Sequence, residues 1–234
     1  DYFYHPADNS DVTMPYQGVV MSVDPSGRGK DETAYAIVAQ LNGYLFILDA
    51  GGFAGGYDAD EVLKPLAMLA KKYNVNEILV ESNFGDGMFT TIFSPIVSRI
   101  HPCSIEEVRH HIQKERRMAD TLEPVMNRHR LVIDPRVIEK DYRSIQRYDA
   151  DVRRSKSLIY QMSRLTRDKG CLRHDDRLDA LSMAVAYWTD SMAKDADLGI
   201  QQARDAAVDK ELERAYAHFG LGLASPASQW GTRW

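Results

Sequence analysis

QGVVMSVD (17–24), PSGRGKDE (25–32), TAYAIVAQL (33–41), NG (42–43) and YLFILD (44–49) are the consecutive pieces on which the fold turns. The first, third and last are short runs rich in β-branched and aromatic residues, each bounded by turn formers. Pro25, Gly27 and Gly29 make the second piece a turn, and Asn42-Gly43 is a strong signal for a two-residue hairpin. The order is strand, turn, strand, tight hairpin, strand, which is an antiparallel meander. Asp24 closes the first strand.

Working outward, 51–56 is a Gly-rich loop, after which Asp58 or Asp60 can cap a helix running to about Tyr73. Val62, Leu63, Leu66, Leu69 and Ala70 share one side of that helix. Residues 77–82 form a short apolar strand of the kind buried on both faces. A strand–helix–strand connection implies a parallel neighbour, so the first and fourth strands can lie side by side. Further on, 86–100 reads as partly helical, 104–110 as a strand, 114–128 as a helix and 131–134 as a short strand. Residues 157–167 and 171–173, around Asp168-Lys169-Gly170, read as a hairpin. A helix runs from Asp175 to about Ser191 with Leu178, Leu181, Val185 and Trp188 as its core stripe, and a polar helix covers 198–218. The fold class is α/β, a mixed central sheet of meander plus parallel strands flanked by helices.

The chain has 234 residues, of which 44% are hydrophobic, enough for one core. Residues 1–16 form a lead-in arm, 17–193 the main domain, and 194–234 a helix with a Gly/Ser/Pro tail that carries two of its tryptophans, Trp230 and Trp234. No apolar run approaches the ~18 residues of a membrane span. The chain begins at Asp1 without a secretory leader, and reads as an excised piece of a longer polypeptide. Two cysteines, Cys103 and Cys171, make no disulfide framework and have no zinc spacing, so a reduced, intracellular setting is the default. Net charge is −5, yet residues 99–177 carry 19 Lys+Arg against 13 Asp+Glu, and the remainder 10 against 21. That asymmetry suits a polyanion on one face, although a solvated helical surface explains charge alone at least as well.

The informative residues are acids where acids are costly. Asp24 and Glu81 each end an apolar strand, and Asp175, Asp176 and Asp179 open the apolar helix. Asp176 and Asp179 are neighbours on one helical face, and Asp175 is also a natural N-cap. If the first and fourth strands touch, Asp24 and Glu81 meet mid-sheet and the late helix brings its aspartates over them. Three or four carboxylates so close repel and need a counter-charge. Mg²⁺ or Mn²⁺ takes hard oxygen ligands, and two ions roughly 4 Å apart make a site for in-line attack on a phosphodiester. Each acid also has a bland reading: Asp24 as turn former, Glu81 paired with Lys71 or Lys72, Asp175 as cap, Asp176 and Asp179 as charges favoured by the helix dipole. Their joint occurrence favours the site.

Gly27-Arg28-Gly29-Lys30 is not a P-loop, because Asp24 and Asp31 occupy positions that require glycine and a hydroxyl residue. Arg28 and Lys30 are instead candidates for phosphate contacts. No nucleophile elbow or Cys/His pair is present. His174 stands beside the aspartates, and a ligand-orienting role and a structural one are equally open.

The order of acids resembles the RNase H-like nuclease superfamily, and more closely the C-terminal nuclease domain of phage terminase large subunits of the short-tailed phage, DNA-maturase type. The residues responsible are Val23-Asp24-Pro25-Ser26-Gly27 with Asp31-Glu32-Thr33, Val80-Glu81-Ser82-Asn83-Phe84-Gly85-Asp86-Gly87, and Tyr160 to Thr166 leading into His174-Asp175-Asp176-Arg177-Leu178-Asp179-Ala180-Leu181. The resemblance covers residues 17–190. It implies a metal-dependent endonuclease that cuts concatemeric viral DNA in the host-cell cytoplasm, using two Mg²⁺ or Mn²⁺ ions. By that likeness Asp24, Glu81 and Asp176 are the core metal ligands, with Asp179 and Asp175 in support; Asp24, Glu81, Asp176 and Asp179 are the catalytic set. It also implies an N-terminal packaging ATPase beyond this piece, a small terminase subunit, a portal or procapsid, and no membrane partner.

Arg109, Lys114, Arg116 and Arg117, with Arg153, Arg154 and Lys156 and the hairpin's Arg164, Arg167 and Lys169, would then line a groove for double-stranded DNA. Phosphate contacts give affinity without sequence preference and weaken with salt. Two other functions are compatible with such a sheet. An actin-like or sugar-kinase-type ATP-binding domain would need a second glycine-rich phosphate loop, which is not found. A non-catalytic DNA or procapsid docking module would bind DNA but no metal.

Overall fold

The computed structural model describes residues 14–26, 32–54, 56–82 and 87–218, with side chains as far as 212. The meander stands as read: β1 (Gly18–Asp24) pairs antiparallel with β2 (Thr33–Leu41), and β2 with β3 (Tyr44–Phe53). Asn42 and Gly43 both have positive φ, 52° and 80°, the type I′ geometry that Asn-Gly favours. Asp58 Oδ1 caps a short π-helical turn, Ala59–Leu63, which leads into α1 (Lys64–Lys72) with Pro65 in its first turn. The chain then returns through β4 (Glu77–Glu81), parallel to β1. After α2 (Met88–Ile100), β5 (Ser104–Val108) joins β4 in parallel. Then follow α3 (Lys114–Asn127) and β6 (Leu131–Ile133), which lies parallel to β3. Strand order in the six-stranded sheet is β5-β4-β1-β2-β3-β6. Arg109, His110 and His111 follow the end of β5 rather than extending it.

Alternation along the strands assigns the two faces. Val19, Met21 and Val23 of β1, Ile37 of β2 and Ile78 and Val80 of β4 join Leu63, Leu66, Phe89, Phe93 and Val97 in one core cluster with α1 and α2. Ser22, Asp24 and Glu81 therefore look to the other face. That face is covered by the start of α7 (Asp176–His218): Ser22 Oγ donates to Ala180 O at 2.5 Å, and Trp188 Nε1 donates to Val38 O at 3.0 Å. Leu178, Leu181 and Val185 are fully buried there, each such side chain contributing roughly 1.5–3 kcal/mol. The approach is close: a Cβ at Gly18 would stand 2.6 Å from Trp188 Cη2.

Two sequence expectations are corrected. Residues 157–164 are not a strand of a hairpin. Ser157 Oγ accepts from Tyr160 N and caps α6 (Leu158–Arg164). Leu158, Gln161 and Leu165 recur at helical spacing, and that periodicity outweighs the turn signal; Gly170 does turn, with φ +77°. The separate helices at 175–191 and 198–218 are one helix, α7. The stretch with no earlier assignment holds α4 (Pro135–Ser144) and α5 (Ala150–Arg153), each joined to short 3₁₀ turns. The chain divides into two compact units after Thr189. In the second, the described residues are helical, with Leu198, Ile200, Val208 and Leu212 exposed. Arg28, Lys30, Asp31, most of the lead-in arm and the Trp-containing tail lie outside the described residues. Among those described, no helix is long and apolar enough to cross a membrane.

Candidate metal centre

The parallel register of β1 and β4 aligns Val23 with Val80, so Asp24 and Glu81 sit side by side one residue further on. The first turn of α7 crosses above them and lowers Asp179 between. One carboxylate oxygen from each of Asp24, Glu81 and Asp179 lies within 4.8 Å of the other two. Asp179 is 2% exposed, and the other two are only slightly more open. Burial, aided by the charges of Asp179 and Glu81 and opposed by Lys114, pushes Asp24 well above the usual carboxylate range. Glu81 is raised by burial and by Asp179. A hydrogen bond between the two carboxyls adds to the rise at Asp24 and opposes it at Glu81, as expected where crowded carboxylates share charge.

Two cations from α3, one helical turn apart, reach into the cluster. Lys114 Nζ lies 2.9 Å from Asp179 Oδ2, 3.0 Å from Asp175 Oδ1 and 3.6 Å from Asp24 Oδ2. Burial would lower the Lys114 pKa, but the carboxylates of Asp179, Asp24 and Asp175 raise it above its ordinary value. Arg117 Nη2 donates to Asp179 Oδ1 at 2.6 Å and stands 3.7 Å from Glu81 Oε1. Asp179 Oδ2 is buried with no aligned hydrogen bond, its Lys114 contact being one of charge. Carboxylate oxygens gathered in this way are a set of hard donors that fits Mg²⁺ or Mn²⁺.

The helix acids separate by phase. Asp179 N donates to Asp175 O at 2.8 Å, so Asp175 begins the helix, and four residues bring Asp179 back to nearly the same side. Asp176 turns off that line. Its carboxylate accepts from Lys156 Nζ at 3.2 Å, and burial raises its pKa despite that partner. In place of Asp176, the structure puts Asp179 beside Asp24 and Glu81, with Asp175 at the margin through Lys114.

Arg177, between these acids, sets the phase. It is wholly buried and donates to Glu32 (Nε–Oε1 2.6 Å, Nη2–Oε2 3.1 Å), Asp141 Oδ1 (2.7 Å) and Ser144 Oγ (2.8 Å). Asp141 in turn accepts from Ser157 Oγ and the backbone N–H groups of Leu158 and Ile159, tying α4, α6 and α7 together. Against burial, Arg177 holds Glu32 below its ordinary pKa. Sequence reasoning missed Glu32, Asp141 and Arg177 as site-shaping residues. Glu32 stood in a quoted motif, but nothing in the chain shows that Arg177 points inward.

The basic residues divide likewise. Lys114, Arg117 and Lys156 meet the acids at the start of α7: Lys114, still 34% exposed, faces Asp24, Asp175 and Asp179, while Arg117 pairs with Asp179 and Lys156 with Asp176. Arg109 Nε donates to Ser82 Oγ beside the end of β4. Arg116 and Arg167 share Asp120 at the surface, with Glu123 also on Arg167. Arg153 donates to Tyr148 O, and Arg154 and Arg164 both stack on Tyr160. Lys169 is exposed on the loop after α6.

The sequence and the fold have known counterparts. Residues 23–131 match the family model described as terminase, bacteriophage T7, ribonuclease H-like domain. The terminase large subunit of Enterobacteria phage T3 is 43% identical over 212 residues, covering 90% of this chain, which spans only 35% of that relative's length. Among solved structures, the human cytomegalovirus terminase nuclease domain superposes with TM-score 0.50 at 13% identity, over 73% of this chain and 84% of that one. Its Mn-soaked, inhibitor-bound form gives 0.51 at 14%, over 73% and 82%. The nuclease domain of the large terminase subunit of bacterial virus Sf6 gives 0.50 at 12%, over 74% and 89%. At such identities these structures speak for the fold.

Proposed function

We infer that the chain is one of the RNase H-like domains of phage terminase large subunits, and on that premise that it is a divalent-metal-dependent DNA endonuclease. The observation that carries this is the meeting of Asp24, Glu81 and Asp179, from two strand ends and a helix start, within 4.8 Å. These three would hold the ions, with Asp175 the nearest further carboxylate. When bound, two Mg²⁺ or Mn²⁺ ions supply Lewis-acid chemistry, easing deprotonation of the attacking water and neutralising charge on the phosphate and the leaving 3′ oxygen. The chain's own part is placement. Arg177 fixes the angle of α7, Arg117 holds Asp179 toward Glu81, and Lys156 keeps Asp176 out of the cluster. Arg109, Arg116, Arg153, Arg154, Arg164, Arg167 and Lys169, with Arg28 and Lys30, are the phosphate contacts we propose for duplex DNA.

The substrate in this reading is concatemeric phage DNA inside the host cell, and the catalytic unit is 17–193, flanked by an arm at 1–16 and a segment at 194–234. Its partners would be a packaging ATPase domain, a small terminase subunit and a portal or procapsid. The test is nicking of supercoiled plasmid with Mn²⁺ or Mg²⁺. We expect cutting that stops with EDTA and in Asp24→Ala and Asp179→Ala; cutting that survives either treatment would refute the assignment. Saturable ATP binding would favour the kinase-like alternative.

A further inference from the structure

We propose that Lys114 is an exchangeable counter-ion, displaced from the carboxylates by the divalent cation and passed to a DNA phosphate; this rests on the nuclease reading above. The ammonium and a divalent ion call on the same atoms. Of the three oxygens within 3.6 Å of Nζ, two belong to Asp24 and Asp179, members of the carboxylate triad. A lone pair given to a divalent ion is no longer available to the ammonium, and the ion's double charge offsets two of the three carboxylates that hold Nζ. The ammonium is therefore held far more weakly once the ion is in place.

Lys114 is also the cation built to leave. It is the first residue of α3, and its side chain remains 34% exposed, against 3% for Lys156 and none for Arg177. An ammonium on a flexible four-carbon stem can swing to solvent without moving the backbone. Arg117, only 11% exposed and donating Nη2 to Asp179 Oδ1, has no such route to solvent and stays as the partner of Asp179. Once outside, Nζ stands at the end of α3 that carries Arg116 and follows Arg109, where a phosphate would be its natural partner. Metal binding should therefore strengthen DNA binding, and by reciprocity DNA should strengthen metal binding.

The experiment is calorimetric titration of Mn²⁺ into the whole chain, with and without a duplex whose phosphates are blocked against cleavage. Lys114→Met should bind Mn²⁺ roughly 10-fold more tightly than the parent, because a competing charge has gone. Arg116→Met, which removes a nearby but outward charge, should shift it less than about threefold. The duplex should tighten Mn²⁺ binding in the parent but not in Lys114→Met. Lys114→Gln serves as a second variant, with thermal unfolding to confirm that each is folded. Equal or weaker Mn²⁺ binding by both Lys114 variants, while Asp179→Asn abolishes it, would overturn the exchange and leave the nuclease reading standing. Failure of the folded parent and both variants to take up Mn²⁺ would overturn both.

Discussion

Replacing Arg177 with methionine keeps most of the side-chain volume and removes one buried charge from between Glu32 and Asp141. All three residues are at most 1% exposed, so water cannot replace the guanidinium. Breaking a buried ion pair from one side costs about 3–5 kcal/mol, because the remaining charge has lost its partner. For a domain of this size each kcal/mol moves the melting temperature by about 2–4 °C, so the expected drop at pH 7 is on the order of 10 °C. The pH dependence separates this cause from loss of packing. The folded pKa of Glu32 lies below its ordinary value, so its contribution is present above the unfolded value of ~4.3 and is lost as pH falls through the folded one. In the variant, burial without the guanidinium raises that pKa, and folding then disfavours the charged form. The gap between parent and variant, followed by circular dichroism from pH 7 to 3, should be widest near neutrality and shrink below about pH 4. A drop under about 2 °C, or one that does not change with pH, would refute the claim that this pair anchors α7.

Two further outcomes are expected. Gly18→Val drives a side chain into the Trp188 ring, 2.6 Å from the ideal Cβ; overpacking of this kind costs about 1–3 kcal/mol, seen as a melting point lower by roughly 5 °C. Mn²⁺ should raise the melting temperature of the parent and of Asp176→Asn, since it binds only the folded chain, but not that of Asp179→Asn or Glu81→Gln; a shift lost in Asp176→Asn and kept in Asp179→Asn would reverse the assignment.

Local signals carried most of the fold. Asn42-Gly43 and the three apolar runs around it are a complete description of a meander, and the crossover from β3 through α1 to β4 leaves a parallel place beside β1. The strand-end positions of Asp24 and Glu81 followed from where those runs stop. What stayed hidden depends on burial. Asp176 and Asp179 stand about 60° apart around the helix, and which of them faces the strands goes with Arg177 reaching Glu32 and Asp141, 145 and 36 residues away in sequence. Lys114 and Arg117 read as charges lining a DNA groove, and nothing local indicates that the helix end tips toward the carboxylates. The stretch 157–173 misled because Asp168-Lys169-Gly170 is a true turn with a helix, not a strand, before it.

Crystals soaked in Mn²⁺ and measured at its absorption edge would locate the ions directly. The account predicts anomalous density touching Asp24, Glu81 and Asp179, with Asp176 still on Lys156. Density held by Asp176 without Asp179, or none beside the ends of β1 and β4, would contradict it.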